Sequence, residues 1–257
     1  MQAPLQFEDI LAAVSSVGAR VAGLLVFTPF LGNSALPMRI KAGLVILVTA
    51  LLYPVCGPRQ LSLTVGGAVR MMLAEALVGI LIGLAVQFVF EAAQFAGQVM
   101  GMQVGFGLVN IIDPTTQVDT PVLAVFSQTL AMLIFLQMGV HRWLIRALAS
   151  SFGYLPVGSA LAGGGMTLQL LHAAGGIWLA GVQIAAPALI ATLLADFVLG
   201  FLGKASPQLP VLFLGLSVKS MTGLLVLAVA LKYWPAIFEH YFTHAIHTTE
   251  GLLRLAH

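Results

Sequence analysis

Gly66-Gly-Ala-Val-Arg-Met-Met-Leu-Ala-Glu75-Ala-Leu-Val-Gly79-Ile-Leu-Ile-Gly83-Leu-Ala-Val-Gln87-Phe-Val-Phe-Glu91-Ala-Ala-Gln94-Phe-Ala-Gly97-Gln98-Val-Met-Gly101 is the longest apolar run in the chain, and the nearest prolines are Pro58 and Pro114. As one helix at 1.5 Å per residue it measures about 54 Å. A bilayer hydrocarbon core is about 30 Å thick, so this helix either tilts strongly or leaves the lipid at one end. A count of spans from hydropathy alone is therefore unsafe here.

The rest of the sequence has the same character. Of its 257 residues 60% are hydrophobic and 8% charged, where a soluble domain carries about 25% charged residues. Too few polar side chains exist to cover a water-facing surface, so most of the outer face must meet lipid or apolar protein. Other apolar segments run Ile10–Phe30, Ala42–Val55, Val122–Val140, Leu168–Gly203 and Val211–Trp234. The expected fold is all-α, built of membrane-associated helical hairpins in a single domain. Pro187 should kink the Leu168–Gly203 segment, and Lys204-Ala-Ser-Pro-Gln-Leu-Pro210 turns it back against the last one. Asn110–Pro121 and Tyr154–Gly165 read as loops from their Pro and Gly content. After Pro235 the tail, 236–257, reads as a weakly amphipathic helix.

Several function classes drop out. A net charge of +2 gives no basis for nucleic-acid binding, and the single Cys56 cannot form an internal disulfide. The beginning, Met1 to Asp9, carries Glu8 and Asp9 instead of a basic region, so the first apolar segment is expected to stay in the mature protein. No phosphate-binding loop, nucleophile elbow or His-Glu-x-x-His motif is present. No enzyme activity and no cofactor are expected. His240, His244 and His247 share a face of the tail, but without Cys or a carboxylate on that face no metal site is expected. Arg39, Lys41 and Lys204 fall on one side of a six-span layout and Arg59, Arg142, Arg146 and Arg254 on the other, too small a bias to orient it. A coupled secondary transporter would show an inverted internal repeat with broken helices, and none is visible.

Three groups of residues carry a physical signal. Gln87, Glu91, Gln94 and Gln98, spaced four, three and four, fall in a stripe roughly 60° wide on the long helix. Such side chains are expensive in lipid and must face protein or water: either a polar seam between helices or a wet interior. Beside them lie Gly79, Gly83, Gly97 and Gly101, which suit close helix packing. Arg20, Glu75, Asp196 and Lys219 sit inside apolar segments. A charge at the bilayer centre costs at least about 2.5–3.5 kcal/mol, so pairing within the protein is expected, a proton relay being the alternative. Finally, Met100-Gly-Met-Gln-Val-Gly-Phe-Gly-Leu-Val-Asn-Ile-Ile-Asp-Pro114 follows the stripe. Gly101, Gly105 and Gly107 should loosen it, and its apolar side chains suit either a movable hydrophobic plug or an ordinary buried loop.

An ordered set of short matches spans nearly the whole chain: Arg20 with Pro29, Pro37 and Arg39; Glu75-Ala-Leu-Val-Gly-Ile-Leu-Ile-Gly83; Gln94-x-x-Gly-x-x-Met-Gly-x-Gln-x-Gly-Phe106 with Asp113-Pro114; Gly139-x-His-Arg142; Ser151-Phe-x-x-Leu-Pro156; Ala186-Pro187; Asp196-x-x-x-Gly200; and Lys204-Ala-Ser-Pro-Gln208 with Lys219. Together they resemble the R-type subunits of type III protein export gates, the FliR/SctT family, and more its flagellar than its injectisome branch. The resemblance implies a non-enzymatic channel subunit, present in one copy among several FliP and FliQ subunits, with FlhB and FlhA as further partners and unfolded flagellar proteins as substrates. It implies a P-type-like part at 1–165, a Q-type-like hairpin at 166–235, and a gate in the bacterial inner membrane, at the flagellar basal body, raised largely toward the periplasm. It also implies a plug loop at about 103–120, which makes Met102, Phe106, Asn110, Ile111, Ile112, Asp113 and Pro114 the candidate pore residues, Phe106 first.

Overall fold

The computed structural model describes residues 7–29, 37–56, 65–106, 121–158, 164–206 and 211–255. Its helices are α1 (Phe7–Phe27), α2 (Met38–Cys56), α3 (Val65–Val104), α4 (Val122–Gln137), α5 (Val140–Tyr154), α6 (Gly164–Ala205), α7 (Val211–Ala230) and α8 (Trp234–Leu255). No strand occurs among the described residues. The fold is that of an all-α membrane protein. Among the described residues, three helices are long and apolar enough to cross a bilayer, within Ile10–Phe27, Gly66–Val104 and Gly175–Ala205, or up to five spans if each of two bent pairs counts as one.

The long run is one helix. α3 has 40 residues, about 60 Å at the usual rise. α6 is as long, 42 residues, and continues through Pro187, so one lost hydrogen bond does not end it. The Val122–Val140 segment, by contrast, is not a single rod. α4 stops at Gln137, and α5 begins at Val140 after a turn. Gly139 makes the corner with φ of 68°, where a Cβ would lie 2.6 Å from the Arg142 guanidinium. Only glycine takes that left-handed conformation without penalty, so the corner is written in one residue. A second corner, of 64°, lies at Leu231–Tyr233 between α7 and α8, with Pro235 in the first turn of α8, where its missing N–H costs nothing.

The chain gathers into two compact units. The first draws on α1, α2, α3 as far as Phe88, α5, α6 as far as Ala174, and α8 from Phe242. On α1 the buried residues Ala13, Ser16, Val17, Arg20, Val21 and Leu24 recur at helical spacing and form one stripe. That stripe lies almost backbone to backbone on α3. A Cβ on Gly79 would collide with the Arg20 carbonyl, one on Gly83 would lie 2.8 Å from the Leu24 carbonyl, and one on Gly23 would collide with the Ala76 carbonyl.

The second unit comprises α3 from Val89, α4, α6 from Gly175, α7, and α8 as far as Tyr241. Here Gly97 lets α3 meet α4, since a Cβ would lie 2.5 Å from the Ala124 Cα. Gly181 of α6 does the same at the Ala92 carbonyl of α3, 3.0 Å away. Phe90 meets Phe135 edge-on, with ring centroids 5.5 Å apart, and Phe95 meets Trp178 at 4.6 Å. The outward faces of α6 and α7 remain apolar: Leu193, Leu194, Phe197, Phe201, Leu225 and Val229 are all exposed, Phe201 to 72%.

Gly101 differs from its neighbours in the glycine row. A Cβ there would make ordinary contacts, 3.5 Å to Pro121 and 3.7 Å to Leu123. Gly79→Ala and Gly97→Ala are therefore expected to destabilise the detergent-solubilised protein by about 1–3 kcal/mol or more, because backbone cannot move aside. Gly101→Ala should stay within about 0.5 kcal/mol. Thermal unfolding followed by tryptophan fluorescence measures the contrast; equal shifts for Gly97 and Gly101 would contradict it.

Candidate functional site

The row Gln87, Glu91, Gln94 and Gln98 runs along α3, and all four are half-buried. Val86, Val89, Phe90, Ala93, Ala96 and Met100, on the adjoining face, are fully buried. The stripe thus borders the packed face of α3 instead of lying in its middle. Gln87 and Glu91 are each engaged with a neighbour.

At its far end α3 stops sharply. Gly105 has φ of 98°, its N–H donates to the Met102 carbonyl at 3.2 Å, and the Phe106 N–H donates back to the Gly101 carbonyl at 3.0 Å. This pair of reversed bonds around a left-handed glycine is the Schellman arrangement, which satisfies helix-end carbonyls. Gly101 itself is helical and buried. Gly101 and Gly105 therefore do not loosen the segment as their composition suggests: one packs and the other caps. Met102 and Phe106 are exposed there, to 63% and 40%. Gly107, Asn110, Ile111, Ile112, Asp113 and Pro114 lie outside the described residues, as does most of 103–120.

The four charges in apolar segments form two pairs. Arg20 and Glu75 are completely buried and form an ion pair, with Arg20 Nε donating to Glu75 Oε2 at 2.6 Å. Arg20 Nη1 also donates to Ser151 Oγ at 2.9 Å and Nη2 to the Leu155 carbonyl at 2.9 Å, while the Phe152 ring lies 4.0 Å from Cζ. The other carboxylate oxygen, Glu75 Oε1, accepts the Gly158 N–H at 2.9 Å. α1, α3 and α5 are thereby joined by one charge network. The second pair, Lys219 Nζ to Asp196 Oδ2 at 2.7 Å, joins α7 to α6 and is partly exposed.

In the tail, His244 contacts Thr248 at 3.4 Å and His247 lies 4.0 Å from Glu250. No three potential metal ligands converge among the described residues.

The family described as bacterial export proteins, family 1, matches residues 11–245 of this sequence. The chain belongs to that family. Among similar proteins are the flagellar biosynthetic protein FliR of Escherichia coli K12, 30% identical over 87% of this chain and 86% of that protein, and the FliR of Bacillus subtilis 168, 27% identical over 96% of each. The surface presentation of antigens protein SpaR of Shigella flexneri is 27% identical over 86% of this chain and 87% of its own length.

In this export protein, Ser151, Phe152, Leu155 and Gly158 belong to the Arg20 network, although nothing in their residue types marks them as charge partners. Only the buried Arg20, which needs several acceptors, signals that such groups must exist. Glu75→Ala leaves a buried guanidinium without its counter-ion and should cost about 3–5 kcal/mol. Arg20→Met combined with Glu75→Leu should cost much less than the two single changes together. Additive losses in thermal unfolding would show that the charges do not act as a unit.

Proposed function

We propose that this chain is a structural, non-enzymatic channel subunit of the flagellar type III protein export gate. It forms part of the pore through which unfolded flagellar proteins cross the inner membrane, and it closes that pore at rest with the segment at about 103–120. The supporting observation is the family match along residues 11–245 of a chain whose 40-residue α3 carries a half-buried amide row. A span of ordinary length needs about 20 residues and tolerates few such groups in lipid. A helix twice that long, with amides bordering its packed face, suits a gate that rises out of the bilayer toward the periplasm. One copy of the chain would assemble with FliP and FliQ subunits, with FlhB at the outside and base of the gate and FlhA below. The 1–165 part would take the place of a P-type subunit and the 166–235 hairpin that of a Q-type subunit. The exposed apolar faces of α6 and α7 supply surface for such neighbours and for lipid.

The resemblance to SpaR gives a second reading, the equivalent subunit of a virulence injectisome. The flagellar one is preferred because the FliR of Escherichia coli is 30% identical over a similar share of the chain, against 27% for SpaR.

Apolar constrictions stop ions by excluding water. Deleting Asn110–Thr116 should therefore leave assembly of the gate intact and make resting membranes leak sodium and potassium ions. Ion flux unchanged in a strain with normal amounts of assembled complex would rule the plug out.

A further inference from the structure

Among the described residues, Ser220 of α7 has an unusual hydroxyl. Helical Ser and Thr side chains commonly bond back to the carbonyl four residues earlier in their own helix. Here Thr28, Thr49, Thr129, Ser150, Thr192, Thr222 and Thr249 all do so. The Ser220 hydroxyl instead reaches across to α3 and donates to the Val104 carbonyl at 2.7 Å.

That carbonyl is one of those the helix end leaves over. The reversed bonds at the end of α3 engage the carbonyls of Gly101 and Met102, and a helix end leaves four such groups to satisfy. Around Val104 the fit is close. Its side chain is buried, and a Cβ on Gly223, one turn along α7 from Ser220, would lie 2.6 Å from Val104 Cγ2 and 3.1 Å from the Thr192 methyl. Thr192 turns its hydroxyl to its own helix, toward the Ala188 carbonyl at 2.9 Å, and presents only the methyl. Gly105 adds a further contact, since a Cβ there would collide with Leu216 of α7. Next to Ser220, Lys219 holds Asp196, so α7 is tied to α6 at the same level.

We propose that Ser220 is a positioning residue for Phe106: with Gly223 it forms a seat on α7 that fixes the end of α3. The half-exposed aromatic ring two residues beyond Val104 then leaves the helix in one direction. The position of the α6–α7 hairpin thereby sets the position of Phe106. This rests on the reading of Phe106 as a pore-closing residue, and the test separates the two.

The test uses the fully assembled membrane complex and follows amide exchange at Gly105 and Phe106 together with sodium and potassium leak in resting cells. Ser220→Ala should accelerate exchange at those two amides by about fivefold, the effect of losing one hydrogen bond, and raise leak with complex yield unchanged. Ser220→Thr, which keeps the donor, should restore both. Gly223→Ala should mimic Ser220→Ala, and adding Val104→Ala, which removes the clashing methyl, should bring exchange back. Unchanged exchange in Ser220→Ala overturns the seat. Faster exchange without leak overturns the positioning role if the Asn110–Thr116 deletion does leak, and overturns both this proposal and the plug if it does not.

Discussion

Arg20 carries its charge fully buried, and the arrangement of α1, α3 and α5 follows from satisfying it. A guanidinium is never deprotonated in a protein, so it cannot escape the cost of burial by becoming neutral. It needs a counter-ion and several acceptors at fixed angles. Glu75 supplies the charge, Ser151 and the Leu155 carbonyl supply two acceptors, and Phe152 covers a face. Glu75, Ser151 and Phe152 come from helices that must each stand in one rotation about the axis to reach, and Leu155 follows directly on α5. Apolar packing alone is tolerant of slippage; a buried fork of donors is much less so.

Two of these helices, α1 and α3, can meet there because glycine removes the side chains that would hold them apart. Gly23, Gly79 and Gly83 bring α1 and α3 to backbone contact beside the ion pair, and Gly97 and Gly181 do this on the other portion of α3. In a chain with an apolar exterior, burial of apolar area is a weak reason for helices to associate, since the surroundings are apolar too. Close van der Waals contact and paired polar groups take its place. α3 shows both devices along its length, and its half-buried amides border the packed face.

For an export gate, such a helix does two jobs. It offers packing surface over 40 residues, and it ends at a defined point. Its last turn is closed by Gly105 and held by Ser220. On the proposed reading, a constriction that opens for an unfolded chain and otherwise stops ions needs its apolar groups mounted on something rigid, because a sealing ring misplaced by an ångström lets water through.

Much of this was legible in the sequence. Composition alone required an apolar environment, because 8% charged residues cannot clothe a soluble surface. The absence of proline from Pro58 to Pro114 required a helix too long for a simple span, and charges in apolar segments required partners. What those residues meet was decided by the tertiary structure. No spacing rule tells that Arg20 takes Glu75 while Asp196 takes Lys219, since ion pairs between separate helices depend on how the helices are rotated and stacked. The corner at Gly139 was hidden for the opposite reason: hydropathy runs smoothly through it, and a single positive φ leaves no trace in composition. Likewise Gly101 and Gly105 read alike as residue types, yet one lies in the helix and the other ends it, a distinction made by the bonds their neighbours form and by the helix packed against them.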